Sequence, residues 1–249
     1  MVPQTVPMLV GHRGWPAQFP ENTLEGFAAA VAAGARWLEC DVQLSADRVP
    51  FVCHDASLKR TAGRDLDITA TPARELDVIS VGEAARFGAR FAAARLARLT
   101  ALADWLTRQP GVTQFVEIKR QSLRHHGMQP VVDAVMTALQ PALKQCVVIS
   151  FDPVCLTPAR RQGAARVGWA VEAAGEQIRR SAAELQPDYL FTDEKLFARM
   201  RAALPGPWQW IVYHTEDAGR VLELTSQGAY MVETNDIGTL LGDARMHKP

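Results

Sequence analysis

The sequence predicts an α/β fold, a single (β/α)8 (TIM) barrel with a small insertion after its second strand. Three observations carry this. Eight short β-rich runs alternate with Ala/Leu-rich helical stretches, the signature of parallel βαβ units. The runs are near-continuously apolar, as in Val147-Val148-Ile149, as strands covered by helices should be. The length of 249 residues matches one such barrel. An open doubly wound sheet shares the alternation, but no Gly-x-Gly-x-x-Gly follows any strand, which weakens its dinucleotide-binding version.

Met8–Val10 is the first strand. A helix over 22–33 follows, with Leu24, Phe27, Ala28 and Val31 on one stripe, Asn22 as cap, Glu25 three residues on and Gly34 as stop. Strands two to eight are placed at Arg36–Leu44, Phe115–Lys119, Cys146–Phe151, Arg166–Val171, Asp188–Thr192, Trp208–Tyr213 and Ala229–Glu233. Helices are expected over 101–108, 130–143, 193–203 and 216–226. Residues 46–98 break the rhythm, with turn signals, a further strand at Val49–His54 and an Ala/Arg-rich stretch. A segment this long is a functional loop or small subdomain, and it leaves the C-terminal end of a strand, the face where barrel active sites lie. The expected organisation is one barrel domain over 1–249 with this insertion.

Composition narrows the function classes. Lys plus Arg and Asp plus Glu both number 27, so net charge is zero, which argues against bulk attraction to nucleic acid or an anionic membrane. The 48% hydrophobic fraction fits a packed core rather than disorder. Cys40, Cys53, Cys146 and Cys155 show no Cys-x-x-Cys spacing, so neither a zinc ribbon nor a thioredoxin-type site is indicated, while a Cys40–Cys53 bridge stays open. Met1–Gly11 lacks a basic start and a long apolar stretch, and the apolar run 27–35 is too short to span a bilayer. The expectation is a soluble, cytoplasmic protein without stable membrane insertion; the sequence does not specify its oligomeric state.

Chemistry collects at the ends of the first three strands. Glu39 and Asp41 share a strand face at period two, about 6.5–7 Å apart, and Cys40 points the other way. Glu117 and Lys119 repeat the pattern on the third strand. Three converging carboxylates make an oxygen-rich site for one hard divalent cation, Mg2+ or Ca2+; an ion-pair cluster neutralised by Lys119 is the competing reading. His12-Arg13-Gly14 follows the first strand, offering an imidazole, a bidentate fork for phosphate and a close backbone approach. His54, with Asp55 beside it, lies on the long loop above. Phe151 is placed as an apolar wall, and Tyr213 and His214 at the pocket side of strand seven. The His125–His126 pair reads as a solvated loop, Trp208 and Trp210 as packing.

These residues also carry a resemblance. The chain resembles the glycerophosphodiester phosphodiesterases, a barrel family of the phosphatidylinositol-phospholipase-C-like superfamily. The match runs through Gly11-His12-Arg13-Gly14, Pro20-Glu21-Asn22-Thr23, Glu25-Gly26-Phe27, Leu38-Glu39-Cys40-Asp41-Val42, Val49 to Asp55, Leu58-Lys59-Arg60-Thr61, Glu117-Ile118-Lys119 and Ile149-Ser150-Phe151. It implies that Glu39, Asp41 and Glu117 bind the cation, that His12 and His54 are the acid/base pair, that Arg13 and Lys119 hold the phosphate, and that Glu21 belongs to their surroundings. It also implies attack by a glycerol hydroxyl followed by hydrolysis of a cyclic phosphate. Departures fall late in the chain. Leu99-Thr100-Ala101-Leu102 lacks the family's proline, Val212-Tyr213-His214-Thr215 replaces a Trp-Thr-Val-Asn type strand, and Gly228 to Asn235 replaces Gly-Val-Asp-Gly-Ile-x-Thr-Asp.

The implied reaction is metal-dependent hydrolysis of a glycerophosphodiester, a small-molecule substrate, to sn-glycerol 3-phosphate and an alcohol. Two rivals are a lysophospholipase-D-like or phospholipase-C-like lipid diesterase, for which 84–102 would be the membrane-facing segment, and a barrel that binds glycerophosphodiesters without turnover. Retention of two histidines beside three carboxylates speaks against the second, since binding alone has no need of the pair.

Overall fold

The structure, a computed structural model, describes residues 6–247. The reading of Met1–Gly11 therefore lies partly outside the described residues. Among the described residues nine strands form one sheet: β1 (Leu9–Gly11), β2 (Trp37–Leu44), β3 (Pro50–Val52), β4 (Thr113–Ile118), β5 (Cys146–Ser150), β6 (Val167–Ala170), β7 (Tyr189–Asp193), β8 (Gln209–Tyr213) and β9 (Met231–Thr234). All neighbours are parallel except β3, which turns back on β2 in the register Val42↔Val52. β1 closes the ring by pairing with β2 at Gly11↔Leu38 and with β9 at Leu9↔Val232. The eight parallel strands are the (β/α)8 barrel that the sequence predicts.

Alternation along the strands sorts side chains into two layers. Val10, Phe115, Val147, Ile149, Phe191, Ile211 and Met231 fill the barrel interior. Leu38, Cys40, Val42, Val116 and Val148 face outward into the larger core under the helices. Cys40 is thus a small apolar wall residue, and all four cysteines are buried and free, so the Cys40–Cys53 bridge does not form.

Helix boundaries shift where side chains find other partners. α1 (Leu24–Ala32) begins two residues later than its pattern predicts. Thr23, not Asn22, is its cap, accepting from the Gly26 N–H at 3.1 Å. Asn22 adopts a left-handed φ of 55° and turns toward Asp41. Between β3 and α5 (Leu99–Leu106) lie α2 (Lys59–Ala62), α3 (Ala73–Leu76) and α4 (Ala84–Phe87). These pack round a separate cluster containing Phe51, Leu58, Ile68, Leu76 and Ile79. The Val52 N–H donates to the Ala97 carbonyl at 2.8 Å, tying the exit of the insertion back to β3. This anchors the turn that carries His54.

The loop expected at 124–126 is instead helical: α6 (Arg120–His126) follows β4, with Lys119 at its cap position, and Gly127 separates it from α7 (Met128–Leu139). Further helices α8 (Leu156–Arg161), α9 (Glu176–Leu185), α10 (Phe197–Ala203), α11 (Ala218–Ser226) and α12 (Ile237–Gly242) alternate with the later strands. Among the described residues no helix is long and apolar enough to cross a membrane.

Candidate active site

Asp41 is the centre of an ion-pair cluster. It is 1% exposed, on the inner face of β2. Lys119 Nζ lies 3.1 Å from its Oδ1 and 2.8 Å from Glu117 Oε1; Arg13 Nε lies 3.1 Å from its Oδ2. Asn22 completes the cage: its amide donates to Asp41 Oδ2 at 2.9 Å and its carbonyl accepts from the Asp41 backbone N–H at 3.2 Å. Burial alone would raise the Asp41 carboxyl, but Lys119 and Arg13 outweigh it and hold the group well below the usual carboxylate range.

Glu39 and Glu117 have the opposite balance. Burial pushes Glu39 well above its ordinary value, reinforced by Asp41, and burial raises Glu117 to about 7 against the pull of Lys119. One oxygen each of Glu39, Asp41 and Glu117 can be chosen so that all three lie within 4.8 Å of one another. Glu39 Oε2 accepts the Arg13 backbone N–H at 3.1 Å, while its Oε1 is buried with no partner. An orphaned buried oxygen beside two other carboxylates is costly unless something positive fills the gap. An all-oxygen donor set of this kind fits a hard divalent cation. The residues present therefore suit the ion, with Glu39, Asp41 and Glu117 to hold it.

Both predicted histidines face this cluster, each fixed through Nδ1. His12 Nδ1 is 2.8 Å from Asn235 Oδ1, and its Nε2 is 3.9 Å from Glu39 Oε2. His54 Nδ1 is 2.6 Å from Asp55 Oδ1. The acceptor oxygens place the proton on Nδ1 and leave each Nε2 free. Burial, aided by Arg13, lowers His12 to about 3; burial also lowers His54, opposed by Asp41 and the Asp55 contact. Arg60, from α2, donates to Asp55 Oδ2 at 2.7 Å and to Glu21 Oε1 at 2.8 Å, while Arg13 reaches Glu21 Oε1 at 3.2 Å. Glu21 thus links Arg13 to the loop of the second histidine.

These groups open on a cavity of about 230 Å³ at the C-terminal ends of the strands. His12, Arg13, Glu39, His54, Glu117 and Lys119 line one part of it; Ile149, Phe151, Ala170, Phe191 and Tyr213 line the rest. Asp41 sits behind this wall. Phe151 and Tyr213 meet edge to face with centroids 6.1 Å apart, and Lys119 Nζ lies 6.0 Å from the Phe151 ring centre. All nine residues singled out in the sequence are thereby brought together. His125 and His126 do not reach the cavity, and Trp208 and Trp210 are core residues.

Three residues around the cavity escape the reading of single motifs. Asn22 was assigned to helix capping. Asn235 and Glu233 stand two apart at the end of β9, so period-two alternation from Met231 would have turned both inward. His214, which the sequence places at the pocket side of its strand, lines the cavity and stacks on His12 with ring centres 5.0 Å apart.

The model of the glycerophosphoryl diester phosphodiesterase family matches residues 12–163. A phosphodiesterase of Oleispira antarctica, solved in complex with the product sn-glycerol-3-phosphate, superposes with a TM-score of 0.82 at 23% identity, over 98% of both chains. A glycerophosphodiester phosphodiesterase of Agrobacterium tumefaciens superposes with a TM-score of 0.76 at 21% identity, over 95% of this chain and 100% of that one. At such identities the likeness is one of fold. Among curated proteins, glycerophosphodiester phosphodiesterase domain-containing protein 4 of Macaca fascicularis is 58% identical over 55 residues, 22% of this chain and 9% of that protein. The chain thus spans only about a tenth of that relative's length. With the family model covering more than half of its residues, the chain belongs to the glycerophosphoryl diester phosphodiesterase family.

Proposed function

We propose that this chain hydrolyses glycerophosphodiesters to sn-glycerol 3-phosphate and an alcohol, with one divalent cation, Mg2+ or Ca2+, held by Glu39, Asp41 and Glu117. The observation that carries the reading is the single cavity in which that carboxylate cluster meets two imidazoles anchored through Nδ1 and two fixed cations. The Oleispira antarctica phosphodiesterase of the same fold was solved with sn-glycerol-3-phosphate, which supports the product.

The cation, when bound, supplies Lewis-acid stabilisation of charge on the phosphoryl oxygens. Arg13 and Lys119 orient the diester and stabilise the charge that grows in the transition state, in a pocket where water is partly excluded. His12 is kept neutral by burial and has Nε2 free, so it takes the proton from the attacking hydroxyl. His54, backed by the Asp55 carboxylate, favours the protonated form more and delivers a proton to the departing alkoxide. With the glycerol hydroxyl as attacker this leaves a cyclic phosphate. In the second half-reaction His54, now neutral, takes a proton from a water that attacks phosphorus, while His12 returns its proton to the glycerol oxygen that leaves, giving sn-glycerol 3-phosphate. Phe151 and Tyr213 form the apolar wall against which the alcohol side of the diester rests. Insertion and barrel together form one catalytic unit over the chain, and four free buried thiols suit the reducing cytoplasm.

The test is release of glycerol 3-phosphate from glycerophosphocholine with added Mg2+, Ca2+ or Mn2+, and its loss in EDTA. Turnover restored by a cation supports the reading. Tight binding of the diester without turnover under any of the three would make the chain a binding protein instead.

A further inference from the structure

Glu233 is a fourth carboxyl group in the cavity wall, and nothing in the scheme above uses it. It projects inward from β9, is 3% exposed, and its Oε1 is buried without a hydrogen-bond partner. It falls outside the Glu39–Asp41–Glu117 group whose oxygens approach one another closely enough to share an ion. No salt bridge reaches it among the described residues: Lys119 is taken up by Asp41 and Glu117, and Arg13 by Asp41 and Glu21. Leaving a buried carboxyl oxygen unpaired is costly, and a ligand that pairs with it removes that cost. A partner that fits is small and polar, able to donate and to accept.

We propose that Glu233 is a specificity residue that hydrogen-bonds a free hydroxyl of the substrate's glycerol moiety. The inference rests on the glycerophosphodiester reading and refines it. Position and chemistry favour a hydroxyl. Through the register Val10↔Glu233, β9 sets the side chain beside the strand that leads into His12 and Arg13, next to where the phosphate is held. Ile149, Ala170 and Phe191 of the same lining are apolar and offer a hydroxyl no partner. A hydroxyl both donates and accepts, so it pairs with Glu233 whether the carboxyl is ionised or protonated. A cavity of about 230 Å³ admits a three-carbon polyol phosphate without a bulky chain.

The test compares binding of sn-glycerol 3-phosphate and n-propyl phosphate, which lacks both hydroxyls, by calorimetry on the Mn2+-loaded protein. The wild type should prefer glycerol 3-phosphate by about 10–100-fold, the range of a hydrogen bond to a charged group. Glu233→Met should lose most of that preference while binding propyl phosphate as before. Glu233→Gln, which keeps a donor and an acceptor, should retain most of it. An undiminished preference in Glu233→Met, or none in the wild type, overturns the proposal, and the wild-type comparison stands even if a variant does not fold. A tenfold or greater loss of Mn2+ affinity in Glu233→Met would make the residue a metal ligand and also overturn it. Failure of the wild type to bind either phosphate, together with no turnover, would instead remove the glycerophosphodiester reading on which the proposal rests.

Discussion

Replacing Asn22 by Ala tests how the acidic cluster is held. Asn22 is 3% exposed and makes two contacts with Asp41, donating to Oδ2 at 2.9 Å and accepting from the backbone N–H at 3.2 Å. Loss of the first, a bond to a buried charged group, costs about 1.5–3 kcal/mol; the second leaves a buried N–H unpaired for about 1 kcal/mol more. The φ of 55° adds about 1 kcal/mol, because Ala tolerates the left-handed region less well than Asn. The sum is about 4 kcal/mol, which in a chain of this size lowers Tm by roughly 8–15 °C. Thermal and urea denaturation in EDTA measure it. Asn22→Gly loses the same hydrogen bonds but not the backbone conformation, so it should lie about 1 kcal/mol above Asn22→Ala. A shift below 2 °C for Asn22→Ala, or a glycine variant less stable than the alanine one, would refute the cage as described.

His12→Ala and His54→Ala should each lower kcat by about 10²–10⁴ with the fold intact by circular dichroism, and near-native turnover in both would remove the acid/base pair. Cation affinity should rise with pH, since Glu117 holds a proton up to about 7 and must release it to ligate. Between pH 8 and pH 6 that proton alone weakens binding about tenfold, and calorimetry in two buffers of different ionisation enthalpy should register the release; affinity independent of pH would contradict it. Acid stability follows from His12, whose folded value is depressed: the unfolded imidazole takes up a proton below about 6.5 that the folded one refuses until about 3. Stability from this group is therefore present above 6.5 and drains away toward pH 3, by about 2 kcal/mol at pH 5, and His12→Asn should flatten that part of the stability profile. Arg60→Met should reduce kcat more than it raises KM and should shift the acidic limb of the pH–rate profile, because Arg60 fixes Asp55 behind His54 rather than touching the diester; an unchanged limb would assign Arg60 to stability alone.

The legible parts of this molecule are those governed by local periodicity. Alternation alone put Glu39 and Asp41 on one face and Cys40 on the other, and the barrel keeps that arrangement because a one-residue slip would bury the carboxylates under the helices. The same rule read the Glu117–Lys119 pair. It was less informative where a residue serves a distant partner. Asn22 looks like a cap because it precedes an apolar stripe, yet Asp41, 19 residues away, competes for its amide and Thr23 takes over the cap. Asn235 lies 223 residues from His12, a separation no local pattern spans. Residues 124–126 look like a polar loop, but the chain goes straight from β4 into α6, with Leu123 buried as its apolar foothold.

Charge accounting explains why the site holds its carboxylates unequally. Among the described residues, Glu39, Asp41, Glu117 and Glu233 face two permanent cations, Arg13 and Lys119. Both contact Asp41 and hold its carboxyl well below the usual carboxylate range. The shortfall is left to the other three, and burial makes them retain protons, Glu117 to about 7 and Glu233 to about 8. Protons and a divalent cation are thus alternative ways to neutralise the same deficit. Asp41, caged by Asn22, Arg13 and Lys119, fixes the position of the centre, while Glu39 and Glu117 supply the charge that changes when the cation arrives. Lys119 belongs to both groups, since it touches Asp41 and Glu117 at once. A neutral residue there, just past the end of β4, would leave two adjacent carboxyls without their shared counter-charge.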